Sequence, residues 1–454
     1  MVVRLWSCAP RTLALALVAS ALVAIAPLRA QGLREQLSGL FIFGAGQDPL
    51  FLAGSADPDN PQSIQVHGNH FVPSASAANG TLISFITDAI GGNVASVPLG
   101  ATGGSETFRF EGGVPVRTST SAGPIFAERA QTLGKGRVLA GISHSKFHYE
   151  SLRGVDLNDI QLTFTHQNVN FPGCDTLFSG DCSKMGVPVF ENDIMQFQLA
   201  LNIDVSVTSV YVTYGVFDRL DIGVVVPFVS TDLQGQSSTQ IIPFGGPTAA
   251  HFFAGTPENP VLSITRATSG HSFGLGDVSL RMKVNVHESP TTNVSLFGDA
   301  RLPSGGEDDL LGAGFFSARG LAVISTRFGS FAPHLNAGYL YRHTNRQNDA
   351  VLGTLGFDQL LGERVTLAVD LVSQLQVGDS RLTLPGPVHY DAPFSRTISP
   401  TTIPNMRDDI FDGSFGLEFS AGQGLTIVAN ALFPLNKGGL RPGVSYTAGL
   451  EYTF

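Results

Sequence analysis

The chain has 454 residues, 43% of them apolar and only 14% charged, with 52 glycines; a soluble protein carries about 25% charged residues. There are 27 basic residues against 37 acidic ones, a formal net charge of −10, which argues against nucleic acid as a partner, since phosphate binding needs basic patches. The sequence has no Gly-x-Ser-x-Gly elbow, no His-Glu-x-x-His helix and no phosphate-binding Gly-x-x-x-x-Gly-Lys-Ser/Thr loop, so no catalytic residue, cofactor site or metal ligand is assigned.

The N-terminus reads as an export signal. Arg4 and Arg11 make it positive, an apolar run covers residues 13–27, and Leu28-Arg29-Ala30 precedes a cleavage point before Gln31. The run is too short to span a bilayer, which takes roughly 20 residues. Cys8 precedes it and so is not placed as a lipoprotein cysteine. Cleavage leaves 24 basic against 37 acidic residues, a net charge of −13, and removes Trp6, the only tryptophan. Any aromatic girdle must then use Tyr and Phe.

Residues 31–133 are rich in Gly, Ser, Asn and Pro and lack strand rhythm. They have enough apolar residues to pack and few charges, so a plug-like segment folded into a barrel is expected; a periplasmic tail is the alternative. Residues 82–90 read as a short helix or a strand. Thr107–Glu111 and Val114–Thr118, joined by Gly112-Gly113, read as a hairpin.

From residue 134 to 454 the chain alternates at period two. Leu220, Ile222, Val224, Val226 and Phe228 share one face, and so do Val278, Leu280, Met282, Val284 and Val286. Further runs start near residues 335, 365, 411, 425 and 444. Each is about ten residues, the length a tilted membrane strand needs. Short turns at 217–219, 287–293, 329–330, 362–363 and 422–424 alternate with long connections at 233–272 and 378–409. The expected fold is therefore all-β: a closed antiparallel transmembrane β-barrel of about 14 strands with an N-terminal plug-like segment. Closure is a physical demand, because an open edge in lipid leaves backbone groups unpaired. Between Asp193 and Val216 the apolar phase shifts by one near Thr208. A bulge in one strand or a turn between two would each produce that shift.

Cys174 and Cys182 form a short even pair, which in an oxidising compartment reads as a loop-closing disulfide. The strand phases turn Arg281, Lys283, Asp299 and Arg301 into the lumen, either as a structural charge ladder or as a constriction selecting solutes. Val225, Pro227, Val229, Leu321 and Val323 also point inward. They would pack against a plug or line a greasy passage. Phe252 and Phe253 could form an outer lip or pack their loop. Glu307-Asp308-Asp309 reads as solvated charge. His144, Lys146 and His148 share a strand face, but two His at this spacing lie too far apart to chelate one ion. The chain ends Thr447-Ala448-Gly449-Leu450-Glu451-Tyr452-Thr453-Phe454. Thr447, Gly449, Tyr452 and Phe454 resemble the C-terminal assembly signal of Gram-negative outer-membrane barrels, which implies outer-membrane lipid and the barrel assembly machinery as partners. An amphipathic edge strand is the alternative.

Tyr214-Gly215-Val216-Phe217-Asp218-Arg219-Leu220-Asp221-Ile222-Gly223 resembles a motif of the phenol-degradation meta-pathway family of outer-membrane proteins. Gly276-Asp277-Val278-Ser279-Leu280, Arg301-Leu302-Pro303-Ser304-Gly305 and Leu311-Gly312-Ala313-Gly314 resemble further members of that set. Phe217 stands where the family usually has a polar turn residue, and Gly306 where an acidic one is common. The layout is also similar to long-chain fatty-acid transporters, without any motif of theirs. The resemblance implies a barrel transporter of small, often aromatic compounds. The function expected is passive uptake of small hydrophobic or aromatic molecules across the outer membrane. A general porin for polar solutes and a non-transporting scaffold or adhesin are the alternatives, and an enzyme has the least support.

Overall fold

The computed structural model describes residues 32–41, 88–90, 108–111, 114–117, 127–165, 193–244, 251–256, 258–382, 384, 386–390, 395–422 and 424–454. The export segment and the pair Cys174 and Cys182 lie outside them. Leu33–Phe454 forms one compact unit, and of the other unit, Met1–Gly32, only Gly32 is described. No described helix is long and apolar enough to cross a membrane.

One short helix, α1 (Leu33–Gly39), precedes fourteen long strands. These are β1 (Val138–Leu152), β2 (Ile160–Thr165), β3 (Ile194–Phe217), β4 (Leu220–Ile242), β5 (Ser263–Leu275), β6 (Ser279–Glu288) and β7 (Thr292–Arg301). After them come β8 (Ser317–Thr326), β9 (Phe331–Arg342), β10 (Ala350–Leu360), β11 (Val365–Gln376), β12 (Ile410–Gly422), β13 (Leu425–Pro434) and β14 (Ser445–Thr453). All pairings are antiparallel. The ring runs β4, β6 to β14 in order, β1, β3 and back to β4. The expected hairpin near residue 110 is present, with Phe108–Glu111 paired to Val114–Arg117.

The ring therefore closes with 12 strands, not 14. β2 and β5 pair only with the upper parts of β3 and β4 and leave the ring unchanged. β5 and β6 are one line along β4 interrupted at residues 276–278. Leu275 faces Phe228 and Ser279 faces Val225, so three residues oppose two, which is a bulge.

The shift near Thr208 is neither a bulge nor a turn. β3 is one strand of 24 residues, and its odd-numbered residues from Met195 to Thr213 are all buried. What changes is the chemistry of each face. Below Thr208 the outward side chains are Val210, Val212 and Tyr214, exposed where lipid would lie. Above it they are polar, including Gln196, Gln198, Asn202 and Asp204. β4 does the same, with Phe228 as its last large apolar outward residue before Asp232, Gln234, Gln236 and Gln240. The long hairpin thus rises out of the apolar belt. Hence residues 233–242 and 263–272, expected to lie in a long loop, are strand. An outward face of Gln, Asp and Ser hides a strand from a search for lipid-facing residues.

Outward aromatics form two rows. Tyr214, Phe217, Phe328, Tyr452 and Phe454 lie at the short-turn end, with Tyr339, Tyr341, Phe411, Phe433 and Tyr446 at the other. Two such rows are the girdles of a membrane barrel. The last strand closes the ring: Val138 and Phe454 exchange N–H···O bonds of 2.9 Å each way. Tyr452 and Phe454 point outward with rings 5.7 Å apart, while Thr447 and Gly449 face the lumen.

Candidate functional site

A 12-stranded ring encloses more space than its own side chains fill. In the lower half that space holds residues 127–133. Ala130 donates its N–H to Ser325 Oγ at 3.1 Å, and its carbonyl accepts from Asn285 Nδ2 at 3.0 Å and from Ser295 Oγ. The Leu133 N–H reaches the Asp221 carboxylate at 3.0 Å. Backbone groups that could pair with nothing in a barrel lumen are thereby satisfied by wall side chains.

The four expected lumen charges all face inward and are buried, and the structure brings three of them together. Asp299 meets Arg281 at 3.3 Å and Arg301 at 3.7 Å, accepts from Ser279 Oγ at 2.7 Å, and also pairs with Arg319 at 3.1 Å. Lys283 departs from this group. Its Nζ donates to Gln131 O at 3.3 Å and lies 3.9 Å from Glu128. Arg319 and Glu128 were not singled out from sequence. Arg319 falls on the strand after the one holding Asp299, so the register rather than local sequence reveals it.

The inward apolar positions also separate. Leu321 and Val323 pack with Phe297 around Ala130. Val225 and Val229 belong to a second, larger cluster with Leu310 and Leu311, and the Gly276 backbone lies beside Pro227 and Val229. These residues pack against chain within the ring.

That larger cluster fills the upper half. Leu33, Leu37, Leu40 and Phe41 are at most 2% exposed. Leu33 and Leu37 share a helix face at i, i+4. They lie against β5, where a Cβ on Gly270 would sit 2.5 Å from Leu33 Cδ2, and share one apolar cluster with Met195, Phe197, Leu199, Leu201 and Ile203 on the inner face of β3. Phe41 stacks on Phe197 at 4.7 Å, and Phe164 meets Phe197 edge-on at 6.3 Å. Phe253 joins this cluster and Phe252 is buried, so both pack their loop and neither forms an exposed lip. The aromatic cluster lies across three segments distant in sequence, and nothing local marks it.

A ring of four ion pairs, two of them between the segment and the upper loops, joins these parts. Arg34 bridges Asp88 at 3.2 Å and Glu307 at 3.0 Å. Arg346 bridges the same two at 3.2 Å and 2.6 Å. Glu307 is therefore not simply solvated charge. Burial pushes the Asp88 carboxyl up, against the pull of Arg346 and Arg34. Beside this ring of charges lies a cavity of about 100 Å³, bounded by Ala89, Arg342, Asp349 and Gln376.

The motifs of residues 276–280, 301–305 and 311–314 meet at the bulge. The Asp277 carboxylate accepts from Gly305 N at 3.0 Å and Ala313 N at 2.8 Å. Ser304 Oγ donates to Gly276 O and accepts from Val278 N. A Cβ on Gly312 would sit 2.4 Å from Asp277 Oδ1, which explains glycine there. His144, Lys146 and His148 point outward, His144 bonded to Thr208 and His148 to Asp204. Among the described residues no group of three His, Cys, Asp or Glu is placed to chelate a metal.

Residues 193–381 match the model of the family described as "Putative MetA-pathway of phenol degradation". The chain resembles that family of outer-membrane proteins. Its match spans β3 to β11 and so includes the bulge, the clamp around Asp277 and the charges around Asp299. No curated protein matches the chain. Among solved structures, an outer membrane channel from Pseudomonas putida F1 is 11% identical, with TM-score 0.40, covering 72% of this chain and 98% of that one. A Pseudomonas aeruginosa FadL homologue is 9% identical, with TM-score 0.31, covering 70% and 89%. A mutant of the TodX monoaromatic hydrocarbon channel is 10% identical, with TM-score 0.31, covering 72% and 92%. The strand pairing defines the barrel independently of these likenesses.

Proposed function

We propose that this protein is an outer-membrane channel for passive uptake of small hydrophobic compounds, aromatic ones among them, in a Gram-negative cell. One observation carries the proposal: the inner face of the projecting part of β3 is apolar, and it packs an aromatic cluster of Phe41, Phe164 and Phe197. A solute taken from water would gain about 25 cal/mol for each Å² of apolar surface buried there, and rings 4.5–7 Å apart suit aromatic guests. The solved neighbours include monoaromatic hydrocarbon channels, in agreement with this class of solute.

The N-terminal residues 31–133 act as the plug. Residues 127–133 fill the lower lumen, and α1 closes the upper half. Export through the cleaved N-terminal signal and insertion through the C-terminal strand place the barrel in the outer membrane. The charges around Asp299 hold the wall together, and in this reading the plug blocks a broad aqueous path. Planar-bilayer recording of the purified barrel tests this. Absence of large, stable single-channel steps is expected, whereas such steps would indicate a general porin.

A further inference from the structure

The lumen wall of β10 to β14 is rich in carboxylates. On β10 to β14 four carboxylates point inward and are buried: Asp358, Asp370, Glu418 and Glu451. The cations facing them are few. Arg129 pairs with Asp358 at 3.5 Å, and His334 lies 2.7 Å from Asp370. The four carboxylates outnumber these two cationic partners. Glu451 accepts a bond from Tyr211 at 2.7 Å, a neutral donor that offsets no charge.

A second observation is independent of that charge count. Glu418 Oε2, Thr426 Oγ1, Asn430 Oδ1, Ser445 Oγ and Thr453 Oγ1 are buried oxygens without a hydrogen-bond partner, and each side chain is at least nine-tenths buried. All five lie on β12 to β14 and face the lumen. Thr426 is directly across from Glu451 and from Ser420, and Glu418 is two residues from Ser420 on the same inward face. Asn430 is four residues further along the same strand, about 13 Å at 3.3 Å per residue. Val428, Thr447 and Gly449, which also point inward, stay partly accessible, so the wall borders open space.

Buried oxygens left unpaired cost free energy, and unpaired carboxylates cost more. A file of acceptors without donors is complementary to a cation. A divalent ion needs several carboxylates gathered in one shell, and no such group occurs among the described residues. Here single carboxylates alternate with neutral hydroxyl and amide oxygens. We propose that the β12–β14 wall binds a monovalent cation between Glu418 and Glu451, with Thr426 as a neutral ligand. The site is independent of the solute that the channel carries.

The test uses the full mature barrel refolded in detergent, with choline chloride replaced by sodium chloride at constant ionic strength. Sodium should raise the unfolding midpoint relative to choline, and sodium NMR relaxation should report saturable binding. Glu451→Gln and Glu418→Gln should each weaken the apparent affinity by about tenfold. If either variant does not fold, Thr426→Val, which keeps the shape and loses the oxygen, should weaken it as well. The proposal is overturned if the wild-type barrel shows no sodium-specific effect, or if all folded variants bind sodium as the wild type does. An infrared band of a protonated carboxyl that disappears in Glu418→Gln would also overturn it, because a proton would then be the neutralising cation.

Discussion

Replacing Phe197 by alanine tests how the upper lumen is held together. Phe197 is 1% exposed, stacks on Phe41 at 4.7 Å and meets Phe164 at 6.3 Å. Truncating such a ring costs about 3–5 kcal/mol, of which each aromatic pair accounts for about 0.5–1.5 kcal/mol. The loss should fall on the docking of residues 33–41, because the twelve ring strands keep their hydrogen bonds. At about tenfold per 1.4 kcal/mol, amide exchange protection over residues 33–41 should drop by roughly two to three orders of magnitude. Hydrogen-exchange mass spectrometry of the refolded barrel measures it. Gln198→Ala, one residue away on the exposed face, should stay within about 0.5 kcal/mol of the wild type. Unchanged protection of residues 33–41 in Phe197→Ala, with the ring intact, would refute the packing argument.

Asp299→Ala removes the counter-charge shared by Arg281, Arg301 and Arg319, and breaking these buried pairs should cost about 3–5 kcal/mol in a urea-unfolding titration; no loss would mean the cluster is solvated. Gly312→Ala places a Cβ against Asp277, so exchange over residues 302–314 should quicken while β9 to β14 stay protected. Deleting Phe454 removes the bonds that it exchanges with Val138, and the heat-modifiable folded band in outer-membrane fractions should fall; an unchanged yield counts against a role in assembly.

The barrel was legible because lipid imposes a simple rule. Wherever a strand crosses the belt its outward residues are apolar at period two, as at Leu280, Met282 and Val286. The inward phase of Arg281, Lys283, Asp299 and Arg301 followed directly. The rule stops at the water boundary. Above Thr208 the outward residues of β3 turn polar while the inward ones turn apolar, and one straight strand imitates a phase shift. The strand count overshot because an alternating, even number was expected, whereas β2 and β5 pair outside the ring. The aromatic cluster and the acidic wall could not be read at all. Phe41, Phe164 and Phe197 meet only through tertiary packing, and Glu418 and Glu451 come near each other through the pairing of β12, β13 and β14.

The central claim is that this barrel admits hydrophobic molecules. Uptake of a labelled monoaromatic hydrocarbon by a strain lacking the protein tests it most directly, with complementation by the wild type or by Phe197→Ala. Slower uptake in the deletion strain is expected, restored by the wild type and altered by Phe197→Ala. Equal uptake in all three strains would contradict the claim.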